Sequence, residues 1–563
     1  MASSSFDPAV YDGVDLAAAG ADQQQPFLAR RGYLHATWAR TFASRPELFI
    51  QPSTVAEVEQ VVKLARHRRR RIATTGCGHS PSDITCTSSW LVNLDRLNRV
   101  IAVDRASCLV TVEAGIRLFD LSAALAQHDL AMPNLGSINE QSLAGACATG
   151  THGSSLRHGL LSDDIVSLKI TLGDGTTRTC SRDTTDKGES DLFRAALLSL
   201  GALGIVVEIT LRAVPSFRLR WSQTVDAETV AFDAWKRNDT DGTSRSSALW
   251  TQAHFVRVWW FPYTRRTVVW AAEDCEVTPE VEPDHTPPTS YYDGKLGYLV
   301  YHNLLYLARY IPSMLPWIEW FVFGMQYGFR NGTTTSGLQP SDKALLMNCL
   351  YSQFVNEWAI PLARGPEALT RLGAWLNRLQ PGDAGYVDHG IPFSAKGLYV
   401  HAPVEVRVAD TAALQEARTT RDPSSLSTRP FLDPTCTDEP TLYLNATMYR
   451  SYLKNPPGLD RYYEAFEWLM RDLGGRPHWA KNFGSDHKQF AAAYGDNLVQ
   501  FNAVREASDP DGIFVGPWHR RYLLGEGDDA PPTFRLEEHE QRRALATNDT
   551  VYCFGSVGEA GAQ

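Results

Sequence analysis

Apolar and polar positions divide the chain into three stretches of different character. In the first, short β-like runs alternate with amphipathic helices. Val55, Val58, Val61, Val62 and Ala65 recur at helical spacing after Pro52, behind a capping box formed by Thr54 and Glu57. That helix ends in Arg68, Arg69, Arg70 and Arg71, a run that suits a solvated helix C-terminus or a contact with phosphate or an acidic membrane. A short regular element is expected before it, over Thr37–Phe42. Strands are expected from Ile72 and over Trp90–Leu94, Arg99–Asp104 and Cys108–Ala114, and a helix over Arg117–Ala126. Val166–Leu172 and Thr176–Cys180 flank Gly173-Asp174-Gly175, a hairpin signature. A helix over Asp191–Leu200 and a strand over Ile205–Leu211 close this stretch.

After Pro215 tryptophan and tyrosine become frequent, and Asp274–Thr289 reads as a Pro/Glu-rich loop. Leu296–Phe329 is the most apolar segment and is long enough to cross a bilayer. Arg309, Pro312, Pro316 and Glu319 interrupt it. A charge at the bilayer centre costs roughly 2.5–3.5 kcal/mol. The expectation is therefore aromatic helices packed on a second domain, or an interfacial membrane contact, and not a spanning helix. Alternating runs follow at Gly397–Val408 and Thr441–Tyr449, and then an amphipathic helix at Leu459–Leu473. The third stretch holds Gly475–Lys481, a helix over Asn497–Ala507, the segment Asp509–Phe514, and a polar tail after Leu524 expected to be partly disordered.

Small-residue loops interrupt this pattern in three places. The first is Gly76-Cys77-Gly78-His79-Ser80-Pro81. The second runs from Pro133 to Gly153, and the third is Gly201-Ala202-Leu203-Gly204 leading into Ile205. Glycine lets backbone pass close to a ligand, and closely spaced N–H groups can hold a diphosphate. The first loop is not a Rossmann fingerprint: the third glycine is absent, Pro81 stands in its place, and no helix is expected after it. Alone it reads better as a tight turn with a solvent histidine. Three such loops between short strands point to a dinucleotide threaded between two subdomains.

Composition narrows the class. A chain of 563 residues holds more than one domain. Its 43% hydrophobic and 21% charged content is that of a globular protein, and a net charge of -10 argues against a nucleic-acid partner. Nine scattered cysteines without a C-x-x-C pair read as reduced intracellular thiols, so neither a metal site nor a disulfide frame is expected. Met1–Gln25 lacks the pattern of a secretory or matrix-targeting peptide. The N-x-T sequons at Asn238, Asn331, Asn445 and Asn548 are accordingly expected to be unmodified.

Gly76–Asp83, Val112–Gly115, Asn134–Ile138, Gly150–Gly153, His478–Lys481 and Asp509–Phe514, in this order, resemble the aldonolactone oxidases among the vanillyl-alcohol-oxidase-type flavoproteins. The likeness is strongest to the fungal branch acting on D-arabinono-1,4-lactone, with the L-gulono-1,4-lactone branch next. It implies an α+β architecture. An extension over 1–41 would precede a two-subdomain, PCMH-type FAD-binding domain over 42–214. An α+β cap would span 215–470, including the apolar segment 296–329, and residues 471–563 would return to the flavin. FAD is the implied cofactor, bonded covalently to His79. Gly76, Cys77, Gly78, Ser80, Pro81, Gly136, Ser137, Ser142, Gly145, Gly150, Thr151, His152, Gly153, Gly204, Ile205 and His478 are the further implied cofactor-binding residues.

Period two puts Glu405 and Arg407 on one face of a strand, where an ordinary cross-strand ion pair would account for them. The family's E-x-R pair makes them catalytic instead. Glu405 would orient substrate hydroxyls or take a proton, and Arg407 would stabilise negative charge. His478 and Lys481 are spaced i, i+3 and would share a face of a helical turn. By resemblance Lys481 is catalytic at the flavin edge. Gly136 matches the glycine of the oxidases, where lactone dehydrogenases carry an oxygen-blocking alanine.

The implied reaction passes hydride from lactone C2 to flavin N5 and the electrons to molecular oxygen, giving D-erythroascorbate and hydrogen peroxide. Alditol oxidation, a dehydrogenase with another electron acceptor, and a membrane-associated flavoprotein without catalysis remain alternatives. The resemblance also implies an intracellular protein associated peripherally with the mitochondrial outer membrane.

Overall fold

A computed structural model describes residues 27–236, 247–275, 282–287, 294–347, 351–401, 403–413 and 426–526. The N-terminal extension to Gln25, most of the polar tail, part of the Asp274–Thr289 loop, and the sequons at Asn238 and Asn548 lie outside the described residues.

Among the described residues three large sheets and two two-stranded pairs build the molecule. The first has four strands in the order Leu28–Arg30, Leu48–Gln51, Trp90–Asn93, Ile72–Thr75. The helix Val55–His67 buries Val58, Val61, Val62, Leu64 and Ala65 in a core shared with Ile50, Ile72 and Val92 of the sheet. Thr54 caps it by accepting from Glu57 N, but the Glu57 carboxylate reaches back to Ser53 N at 2.7 Å and not to Thr54. The second sheet is antiparallel, in the order Thr177–Ser181, Ile165–Leu172, Gly204–Arg212, Leu109–Glu113, Val100–Asp104.

The third sheet has eight antiparallel strands: Thr333–Pro340, Arg218–Ala227, Arg266–Cys275, Phe255–Phe261, Val404–Ala409, Thr441–Tyr449, Gln353–Pro361 and Arg476–Pro477. Its central strands obey strict alternation. Val256, Val258 and Trp260, then Val404, Val406 and Val408, then Leu442, Leu444 and Ala446 share one core. Leu369 and Leu372 of the helix Gly365–Leu376 and Phe466 and Leu469 of the helix Leu459–Asp472 complete that core. The opposite face carries the intervening residues; Phe255 and Trp259 pack into a second core, and Arg257, Glu405, Arg407 and Asn445 place polar groups among them. The last strand brings the C-terminal segment to the sheet edge, beside Trp358 and Ala359.

Several local expectations change. Thr37–Phe42 is the turn between the short strands His35–Ala36 and Ala43–Ser44. Within Ser142–Gly153 a short helix, Leu143–Ala148, forms, because alanine outweighs the single Gly145. Among the described residues of Gly397–Val408 only Val404 onward is strand; Gly397 takes a positive φ of 67°. His478–Lys481 is a turn closed by Lys481 N donating to His478 O at 3.0 Å. The helix His487–Tyr494, capped by Asp486, has no counterpart in the expectations.

Leu296–Phe329 folds as two helices, Lys295–Ala308 and Leu315–Tyr327, broken around Pro312. Among the described residues no helix is long and apolar enough to cross a membrane. Glu319, one of the two charges that argued against spanning, is buried and accepts from Tyr263 N, Thr264 N and Thr264 Oγ1.

Candidate active site

The first glycine loop leaves the Ile72–Thr75 strand and opens onto a cleft. Gly76, Cys77, Gly78, His79 and Ser80 form one wall, and Ser142, Gly145 and Gly204 stand on the others. The approach is close: a Cβ on Gly76 would sit 2.2 Å from Ser142 Oγ. Gly78 holds a φ of 68°, which a side chain would strain. Pro81 is buried, and its carbonyl accepts from Thr41 Oγ1 at 2.5 Å and Asn482 Nδ2 at 3.0 Å, fixing the loop to the C-terminal segment. Thr74 and Gln141 border the cleft. Thr74 Oγ1 and Gln141 Oε1 have no hydrogen-bond partner among the described residues.

The Ile205 side chain stands apart from the cleft lining. Gly204 and Val206 line the cleft, whereas Ile205 points the other way and is fully buried in the core with Val207. Period two along the strand dictates this.

The second glycine region frames the far end. Gly150 adopts a φ of 77°. A Cβ on Gly153 would overlap the Asn134 side chain at 1.9 Å, and one on Gly136 would meet Thr151 Cγ2 at 3.1 Å. Ser137 Oγ stands 3.4 Å from both Glu405 Oε1 and an Arg407 terminal nitrogen. The loops thus meet the large sheet at this serine.

His79 stacks on Trp38, with ring centroids 4.8 Å apart and planes 20° from parallel. Burial, aided by the charges of Lys481 and Arg117, pulls its imidazole down to about 3. The ring is therefore neutral at physiological pH, the form that acts as a nucleophile.

Glu405 and Arg407 share the polar face of the large sheet, as alternation requires. Asn445 lies across from Glu405 and Glu357 across from Asn445, so three strands place these side chains in one row. Asn445 Nδ2 donates to Glu405 Oε2 at 3.3 Å, and Arg407 Nε stands 3.7 Å from the same oxygen. Arg407 also donates to Glu357. Lys481 Nζ stands 3.4 Å from the second Glu357 oxygen, and His152 Nε2 stands 3.5 Å from the first. The ring of His152 stacks on Tyr443 at 3.5 Å, with His478 at 5.5 Å. His152 and His478 therefore belong to this buried cluster and not to the glycine cleft.

Burial opposes the charge on Glu357, but Arg407, Lys481 and His152 outweigh it and hold the carboxyl well below the usual range. Burial likewise works against Arg407, and Glu357 and Glu405 outweigh it upward. Burial first, then Arg407, lowers His152; burial lowers His478. The ligating atoms of His152, Glu357 and His478 lie within 4.8 Å of one another, a spacing that could hold a metal. The two cations already sharing Glu357 speak against a divalent ion there.

Glu357, Tyr443 and Asn445 escaped the sequence reading. Asn445 stood out only as a sequon, and its side chain is buried against Glu405. The available signal for Glu357 was a lone acid inside the largely apolar strand Gln353–Pro361.

Residues 46–181 match the family described as FAD binding domain, and residues 209–522 match the family described as D-arabinono-1,4-lactone oxidase. A Neurospora crassa protein provisionally named for that activity is 59% identical, over 89% of this chain and 87% of its own. The Yarrowia lipolytica D-arabinono-1,4-lactone oxidase is 39% identical, over 86% and 96%. In fold, the chain is similar to cholesterol oxidase from Brevibacterium sterolicum, with a TM-score of 0.68 at 17% identity, over 88% of this chain and 98% of that one. That likeness agrees with the expected α+β fold, and the FAD-binding match agrees with the expected PCMH-type cofactor domain. The glycine cleft falls mainly within the first match and the charged sheet face within the second, and the chain belongs to the D-arabinono-1,4-lactone oxidase family.

Proposed function

We propose that this protein uses FAD to oxidise D-arabinono-1,4-lactone, or a closely related aldono-1,4-lactone, with molecular oxygen. The products are D-erythroascorbate and hydrogen peroxide. The observation that carries this reading is the buried charge row, in which Glu357 holds Arg407 and Lys481 beside a half-buried Glu405.

The cleft fits the cofactor: glycines where side chains would collide, and polar atoms of Thr74 and Gln141 awaiting partners. When bound, FAD supplies the two-electron acceptor. His79, neutral and fixed against Trp38, is the residue to tether it covalently. Glu405 is oriented by Ser137, Asn445 and Arg407, and from there it aligns a substrate hydroxyl and takes its proton. Arg407 and Lys481 balance Glu357 and Glu405 in the resting site. Once Glu405 is protonated the site carries a net positive charge, matched to an enediolate in a water-poor setting. Gly136 keeps the approach beside Thr151 open for oxygen.

Peripheral attachment to the mitochondrial outer membrane belongs to the same proposal. Support for the membrane contact comes from the exposed Leu296, Leu299, Trp317 and Trp320 on the paired helices and Ile311 between them.

Anaerobic mixing with a panel of sugar lactones, followed by flavin absorbance, tests the function. D-arabinono-1,4-lactone is expected to bleach the flavin, and air to restore it with peroxide release. Absence of bleaching by every lactone overturns the reading. Bleaching that air cannot reverse assigns the chemistry to a dehydrogenase.

A further inference from the structure

The polar face of the large sheet holds one more cation, which the mechanism above leaves unused. Arg257 and Arg407 each adjoin the paired residues Val258 and Val406. Trp259, two residues beyond Arg257 on the same face, pairs with Glu405. Arg257 is only 2% exposed, yet its Nε and one terminal nitrogen have no hydrogen-bond partner among the described residues. Its guanidinium carbon lies 5.6 Å from the centre of the Trp270 ring. The charges it feels are those of Glu405, which favours it, and Arg407, which repels it.

Such a group is costly to keep. A buried cation with unmatched N–H groups loses its hydration without compensation, and a like charge on the next strand adds repulsion. The cost is recovered if a ligand completes the hydrogen bonds. Arginine offers donors only, so the ligand must bring oxygen acceptors, and the planar fork suits a carboxylate or a carbonyl with a neighbouring oxygen.

We propose that Arg257 is a substrate-binding residue of this site. It donates to the lactone carbonyl and ring oxygens on the side of the substrate away from Lys481. The inference rests on the lactone-oxidase reading. It has a consequence of its own: the open-chain aldonate, whose carboxylate fits the fork better than the lactone, binds the same place and competes.

The test uses the flavin-loaded full chain, titrated with sodium D-arabinonate and read by calorimetry and by perturbation of the flavin spectrum. It is repeated for Arg257→Met and Arg257→Lys. Arabinonate is expected to bind the wild type and to inhibit competitively against the lactone. Arg257→Met should weaken arabinonate at least tenfold and raise KM for the lactone about tenfold, with kcat changed less than threefold. Arg257→Lys should restore part of that loss. In the absence of ligand, Arg257→Met should unfold at a higher temperature than the wild type, because an uncompensated charge has been removed. Unchanged arabinonate affinity and KM, with a lowered unfolding temperature, overturn the proposal and make Arg257 a structural cation. If no lactone reduces the wild-type flavin, the functional reading fails. The arabinonate titration needs no turnover and still decides the role of Arg257.

Discussion

Arg407 and Glu357 stand on strands that are not neighbours, yet the guanidinium bonds the carboxylate across the Thr441–Tyr449 strand between them. Glu357 is wholly buried, so this contact takes place away from water. The carboxylate also serves Lys481 and His152. One acid thus fixes the position of two cations that come from opposite ends of the site.

Glu357→Gln should be among the most damaging single changes in the chain. Removing one partner of a buried pair leaves uncompensated charge and costs about 3–5 kcal/mol. Thermal unfolding of the variant should show that loss. Flavin reduction by lactone should fall with it, since Arg407 and Lys481 lose their anchor. Unfolding at the wild-type temperature would contradict the assigned network.

Lys481→Ala should separate chemistry from binding. Its ammonium stands 3.4 Å from Glu357 and, in the proposed mechanism, is offered to negative charge on the substrate. Single-turnover flavin reduction should slow by two to three orders of magnitude, as for other lost transition-state donors, roughly 10²–10³-fold. Lactone affinity should change far less. An unaltered reduction rate would remove Lys481 from the mechanism.

His79→Ala should leave FAD bound but not tethered. Acid-precipitated wild-type protein should stay yellow and fluorescent, whereas the variant should release its flavin to the supernatant. Trp38→Ala should slow attachment, because the indole that holds the imidazole in place 4.8 Å away is gone. A colourless wild-type pellet would exclude the covalent bond.

Gly136→Ala should act on the oxygen half-reaction. The added methyl would stand 3.1 Å from Thr151 Cγ2, a contact that a small shift can relieve, so folding should survive. Stopped-flow reoxidation by oxygen should slow while reduction by lactone is spared. Equal oxygen rates in both proteins would show that access is not controlled here.

Glu319 makes stability depend on pH. Burial pushes its carboxyl up to about 7 from an ordinary value of 4.5. A folded value above the unfolded one means that its contribution is complete below about 4.5 and is lost as pH rises through 7. Glu319→Gln keeps an oxygen for Tyr263 N and Thr264 N while removing the charge. The unfolding temperature of the variant should therefore gain on the wild type between pH 5 and pH 8. A constant difference would contradict the shift.

Local sequence determined a good part of this protein. Alternation alone put Glu405 and Arg407 on one side of their strand and Val404, Val406 and Val408 on the other, because successive side chains of a strand point oppositely. The glycines at 76, 78 and 150 announced close approach and left-handed backbone, which depend on the absent side chain. The same period-two rule, applied to Gly204–Arg212, would have kept Ile205 out of the cleft.

What tertiary structure alone decided is pairing over long separations. Glu357 meets an arginine 50 residues away and a lysine on the segment returning at the sheet edge. Arg257 joins the same face only because its strand packs beside Val404–Ala409. A strand's own sequence sets which way a side chain points. The charges it meets depend on strand order and register, fixed when the whole sheet assembles.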